Sequence, residues 1–129
     1  MHEAGIAASI LDIAHTTAQE RGARGVTAIK VRVGDFSGVV PDALQFAFEC
    51  AREGTLAERA TLIIERVALQ TWCPFCSRAA SPQPDLILWC ETCGNPLEVR
   101  AGQELDVEYV DLDEAGGTAW NELLSSSES

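Results

Sequence analysis

The feature that most restricts this chain is the spacing of four of its five cysteines. Cys73-Pro74-Phe75-Cys76, then thirteen residues, then Cys90-Glu91-Thr92-Cys93-Gly94 reads as C-x2-C…C-x2-C. Two residues between ligands let a tight knuckle aim both sulfurs at one point, and two knuckles complete a tetrahedral four-sulfur site. Gly94 permits the positive φ that often follows a second knuckle cysteine. The odd cysteine count, and a start with no basic segment followed by an apolar one, point to reduced thiols and metal rather than disulfides. Zinc in a structural role is the leading reading, because four thiolates leave no open position for a substrate water. Iron in a rubredoxin-like site is one alternative. Redox catalysis by Trp72-Cys73-Pro74-Phe75-Cys76 is another. It needs the first cysteine at a helix N-terminus, and Pro82 and Pro84 leave little room for that helix.

Charge then narrows the partners. Nine Lys and Arg against twenty Asp and Glu leave a formal net charge of −11 and a pI near 4.4. Phosphate contacts dominate nucleic-acid affinity, so this balance speaks against nucleic acid and against anionic lipid. The cysteine segment agrees. From 70 to 100, Arg78 and Arg100 face Asp85, Glu91 and Glu98. Zinc on four thiolates makes that region more negative still, so it repels phosphate. No apolar run reaches the ~20 residues of a membrane span, and a cytoplasmic protein is expected.

Periodicity supplies the rest of the fold. Residues 4–21 read as an amphipathic helix through Ile6, Ile10, Ile13, Ala14, Thr17 and Ala18, ended by Gly22 and Gly25. Val26 to Phe36 switches to period two, with Ile29, Val31 and Val33 on one face and Lys30 and Arg32 on the other. Pro41 and Asp42 suit the first turn of a second helix, which runs to about Glu53 and buries Leu44, Ala47, Phe48 and Ala51. Cys50, on that helix, reads as a small buried hydrophobe. Thr61 to Leu69 is a strand of poor alternation, expected to be buried on both faces. Leu105 to Leu112 resumes the strand period, with Leu105, Val107 and Tyr109 inward and Asp106 and Glu108 outward. Its acidic outer face would pair with the basic one of the first strand.

The expected fold is α+β: a three-stranded mixed sheet covered by two helices, with an inserted zinc-ribbon lobe. Residues 1–69 plus 101–112 would form the α+β domain and 70–100 the ribbon. Residues 113–129 are acidic and serine-rich without a base, and read as a disordered tail. Trp120, Leu123 and Leu124 could instead make one amphipathic turn of a docking peptide. No nucleophile–base pair or phosphate-binding glycine loop appears, so no catalysis is expected.

Met1-His2-Glu3 carries a chemistry of its own. The terminal amine, the deprotonated His2 amide and an imidazole nitrogen form two fused chelate rings. Three planar nitrogens suit Ni(II) or Cu(II). Taken by itself this start is commonplace, and an inert N-terminus is the default. His15 lies off the apolar face of the first helix and reads as a surface residue.

Three sets of residues together resemble the HypA family (also HybF), nickel metallochaperones for hydrogenase maturation and, in some bacteria, urease. These are Met1-His2-Glu3, the run from Val33-Gly34-Asp35-Phe36 through Ser37-Gly38-Val39-Val40-Pro41-Asp42-Ala43-Leu44 with Phe46-Ala47-Phe48-Glu49 beyond it, and the four cysteines. The resemblance covers residues 1–112. It implies transient Ni(II) at Met1, His2 and Glu3 and structural Zn(II) at Cys73, Cys76, Cys90 and Cys93. It also implies delivery to a hydrogenase large-subunit precursor with a partner GTPase. Some members place a carboxylate in the loop after the first strand; the matching position here is Val40, with Asp42 two residues on. The rival reading is a zinc-ribbon interaction module without metal transfer.

Overall fold

The computed structural model describes residues 3–80 and 88–114. Helix α1 (Glu3–Arg21) carries eight consecutive residues, Glu3 to Ile10, that include four alanines or glycines, and buries Ile6, Ala7, Ile10, Leu11, Ala14 and Ala18. Those positions repeat at three and four, so one stripe faces the sheet. Ile13 departs from the expected stripe and is 47% exposed. Gly22, at φ +65°, ends the helix. The Ala23 amide donates to the Ala18 carbonyl and the Gly22 amide to Gln19, which is a Schellman cap.

Strand β1 (Gly25–Gly34) is the centre of the main sheet. It pairs in parallel with β2 (Thr61–Val67) after the crossover through α2 (Pro41–Ala51), and antiparallel with β6 (Leu105–Asp113). The sheet is therefore mixed, in the order β2-β1-β6. Ile29, Val31 and Val33 are fully buried beneath the helices with Leu44 and Phe48 of α2. Ala47 packs at the margin of this core, and Ala51 is exposed.

The opposite sheet face is a charge ladder. Lys30 sits between Glu65, at 3.0 Å, and Glu108, at 3.4 Å. Arg32 pairs with Asp106 at 2.9 Å and Arg24 with Asp113 at 3.1 Å. The basic and acidic outer faces thus meet as their sequences predict.

Two strand expectations need correction. On β2, Leu62 is buried and Ile64 packs on the core, while Ile63 is 38% exposed. This edge strand is covered on one face only. On β6, Val107, Val110 and Leu112 face the core and Leu105, opposite buried Val33, is on that side but 41% exposed at the strand's start, whereas Tyr109 is exposed on the other face. The register steps from Lys30↔Tyr109 to Val31↔Val107, so a bulge at Glu108 breaks the simple alternation. Tyr109 consequently shares the outer face with Lys30, whose ammonium lies 6.0 Å from its ring.

A second, antiparallel sheet follows: β3 (Gln70–Cys73), β4 (Arg78–Ala80) and β5 (Glu98–Ala101), in the order β4-β3-β5. Buried Thr71 donates its hydroxyl to the Ala80 carbonyl at 2.7 Å. Arg100 stacks 4.6 Å from the Trp72 ring. The two sheets meet at a close backbone junction. The Gly34 amide donates to the Glu104 carbonyl and the Phe36 amide to Gly102, each at 2.7 Å. Among the described residues no helix is long and apolar enough to cross a membrane. The expected tail lies outside the described residues from 115 onward, as do Met1, His2, Pro82 and Pro84.

Candidate metal centre

Cys73 closes β3, and the chain turns at once through Pro74 and Phe75 to Cys76. The Cys76 amide donates to the Cys73 sulfur at 3.4 Å. Ser77 then adopts the left-handed φ of +54° that lets β4 leave in the antiparallel sense. The second knuckle repeats this at Cys90 to Cys93, where Gly94, at φ +74°, donates its amide to the Cys90 carbonyl at 2.9 Å. Gly94 thus occupies the conformation its sequence position predicts. Arg78 bonds the Thr92 hydroxyl and links the two knuckles.

The four sulfurs converge. Cys73 and Cys93 are 3.5 Å apart, Cys76 and Cys90 4.0 Å, and all four lie within 4.8 Å of one another. A tetrahedral zinc with Zn–S bonds of ~2.3 Å requires sulfur separations of ~3.8 Å. The donor set and its spacing therefore fit such a metal. Cys73 and Cys90 are buried, Cys76 is half-buried and Cys93 is exposed.

The proton distribution fits a cation as well. Hydrogen bonding to the Cys73 and Cys93 sulfurs pushes the Cys76 thiol up to about 12. The backbone amides of Cys93 and Thr92 draw Cys90 down to about 6. The Asn95 side chain, donating at 3.3 Å, lowers Cys93. Four adjacent thiolates repel one another, so a proton is retained unless a cation replaces it. The dithiol alternative lacks its structural requirement: Cys73 ends a strand rather than beginning a helix.

The N-terminal candidate is described from Glu3 onward. The Val40 amide donates to Glu3 Oε2 at 3.2 Å, so the loop after β1 lies against the first turn of α1. Val40 itself is 58% exposed, and Asp42 lies exposed in the first turn of α2. His15 is at the surface as expected, but Cys50 is exposed rather than buried. The helix turns Leu44 and Phe48 to the core and leaves position 50 on the far side. Two contacts had little sequence signal. Asn95 is marked only by its polar type two residues after Cys93. The Glu3–Val40 bond is hinted at by Val40 itself, a poor N-cap whose amide needs an outside acceptor.

The chain matches the family model described as hydrogenase/urease nickel incorporation, metallochaperone, hypA, over residues 1–112. It is 38% identical over 113 residues to the hydrogenase maturation factor HypA of Picosynechococcus, spanning 87% of this chain and 99% of the relative. It is 41% identical over 109 residues to that of Chloroflexus aggregans, spanning 83% and 95%. The fold resembles the solution structure of the Ni metallochaperone HypA from Helicobacter pylori, with a TM-score of 0.61 and 22% identity. That superposition covers 88% of this chain and 99% of the other.

Proposed function

This chain belongs to the HypA family of nickel-incorporation metallochaperones, a maturation factor rather than an enzyme, and from that premise we propose that it binds Ni(II) at Met1, His2 and Glu3 and delivers it to a hydrogenase large-subunit precursor. The observation that carries this reading is that the family match begins at residue 1, so that Met1-His2-Glu3 lies within it. In the same reading Cys73, Cys76, Cys90 and Cys93 hold structural Zn(II). Residues 1–69 plus 101–112 form the nickel-binding domain, 70–100 the zinc ribbon and 113–129 a disordered acidic tail. A maturation GTPase is the working partner, in the cytoplasm.

The physical logic is a contrast between two sites. Four thiolates close the zinc site, and its binding energy is also folding energy for a ribbon with little core of its own. A chelate at a chain end has no cage around it, so its metal can leave by ligand exchange. A carrier must release as well as bind.

The test is a nickel titration of untagged protein beside a variant with one residue added before Met1. Stoichiometric binding in the native chain and its loss in the extended one, with zinc content and circular dichroism unchanged, is the expected result. Equal nickel binding by both would show that the amine is not a ligand. No binding by either would favour the zinc-ribbon interaction module.

A further inference from the structure

Strand β6 closes one side of the main sheet. It pairs with β1, and among the described residues no strand pairs with its other edge. Backbone N–H and C=O groups along that edge therefore lack a ladder partner. Beside it runs an open groove of about 200 Å³ between β6 and α1. Its walls are Ile6, Ile10 and Ile13 of the helix and Val31, Leu105 and Val107 of the sheet. Ile13 is 47% and Leu105 41% exposed, so the groove presents apolar side chains to solvent. The strand and its flanks are acidic: from Glu104 to Glu114 there are six carboxylates and no base. Arg32 and Arg24 answer Asp106 and Asp113, but Lys30 is shared between Glu65 and Glu108. Asp111 is exposed and has no ion pair among the described residues.

We propose that the free edge of β6 receives an extended, basic segment of a partner protein, added as a fourth strand with alternate apolar side chains in the groove. Strand addition takes its affinity from main-chain hydrogen bonds and its specificity from alternate side chains. Residues of one parity would meet Ile13, Leu105 and Val107, and those of the other would carry the Lys or Arg that the acids select. The bulge at Glu108 divides the edge, so the ladder forms along Leu105–Val107 and charge holds the segment beyond it. Charge also disfavours the two occupants nearest to hand. A second copy pairing β6 with β6 would set carboxylate against carboxylate. The chain beyond Glu114 holds Glu122 and Glu128 and no base, so the same repulsion acts on it. Acids alone would serve to keep an edge unpaired, but an open apolar groove alongside works against that purpose and favours a partner. The surface needs neither the cysteine cluster nor a metal, and it is independent of the nickel reading.

The probe is a peptide of about ten residues alternating lysine and valine, with a glutamate–valine peptide as control, added to the full-length, untagged protein. Amide shifts and hydrogen exchange are followed. The lysine peptide should shift the amides of Ile13 and of Leu105–Val107 and slow exchange along the free edge about tenfold. It should bind about tenfold more weakly in about 0.5 M than in about 0.05 M salt, and the glutamate peptide should not bind. Ile13→Lys sets a like charge in the groove and should weaken the lysine peptide at least about tenfold with an unchanged circular dichroism spectrum. Should that variant fail to fold, Asp111→Asn carries the test, with an expected loss of about two- to threefold and a shallower salt dependence. No shift in wild type, equal binding of both peptides, or wild-type affinity in these variants overturns the proposal. So do edge amides already protected without peptide. Protection at every protein concentration would assign the edge to the chain's own tail, and protection lost on dilution to a second copy.

Discussion

Cys73 and Cys93 stand twenty residues apart in the chain, yet their sulfurs lie 3.5 Å from each other. Among the buried hydrophobics of the cysteine segment are Cys73 and Cys90 themselves, whereas Phe75 and Trp89 are exposed. With the proposed Zn(II) bound, such a region would be held by its ligands rather than by a core.

Thiol accessibility should separate the cysteines into two classes. Exposed Cys50 on α2 should react alone in the zinc-loaded protein, and the other four only after a strong chelator is added. Chelation should also collapse the amide dispersion of β3, β4 and β5 while the signals of Ile29 and Phe48 persist. Reaction of all five thiols before chelation would exclude a metal-closed cluster.

The junction between the two sheets should tolerate no side chain at position 34. A Cβ on Gly34 would be driven into the Gly102 carbonyl, and the end of β1 and the segment between β5 and β6 are tied there by backbone hydrogen bonds. Gly34→Ala should therefore cost about 1–3 kcal/mol in urea unfolding. An unchanged midpoint would contradict the close approach.

The core should depend on one aromatic ring. Among the described residues Phe48 is the largest fully buried side chain, and it packs with Leu44 beneath Ile29 and Val31. Phe48→Ala leaves a cavity under the centre of the sheet and should cost about 3–5 kcal/mol, read as a lowered unfolding midpoint. Phe46→Ala, at a site 68% exposed, should leave that midpoint nearly unchanged.

Acid should weaken the sheet through Asp106. The Arg32 guanidinium, donating to both of its oxygens, holds this carboxyl below its ordinary range. A depressed folded value adds stability above the unfolded pKa, and that stability is lost as pH falls through the folded one. Asp106→Asn should flatten the acid limb of the stability profile. Because both partners are exposed, the effect should be modest and should shrink in salt. A profile unaltered by the substitution would remove Asp106 from the acid response.

Nickel affinity should fall as pH drops from about 8 to about 6. In the proposed chelate the His2 amide would release a proton on binding, and the amine, with an ordinary pKa of ~7.7–8.0, would release another at lower pH. One released proton alone gives about a tenfold change per pH unit. A flat nickel affinity over that range, measured by competition titration, would rule out this ligand set.

Much of this protein could be read before it was folded. Two helices, three long strands, the mixed sheet and the pairing of Lys30 and Arg32 with β6 acids follow from local period and charge. The four-sulfur site follows from spacing, since a two-residue gap constrains a knuckle wherever it sits. The readings that needed correction concern which face a residue presents. Tyr109 was legible as inward only while β6 kept strict alternation. The Glu108 bulge, set by pairing with β1, shifted its phase, whereas Leu105 stays opposite Val33 on the inward side and is exposed because it begins the strand. Cys50 shares its helix with Phe48, but helical period alone does not say how wide the buried stripe is.

The sequence by itself determined the elements and the cysteine knuckles, because helical and strand periods, turn residues and cysteine spacing act over a few neighbouring positions. Tertiary structure alone decided that Glu3 would meet the Val40 amide, that Gly34 would touch Gly102, and that Ile63 and Cys50 would face outward. Those outcomes depend on how separate elements are brought together. A contact between residues 3 and 40 arises only when α1 and α2 pack side by side on one face of the sheet, and no local pattern records that.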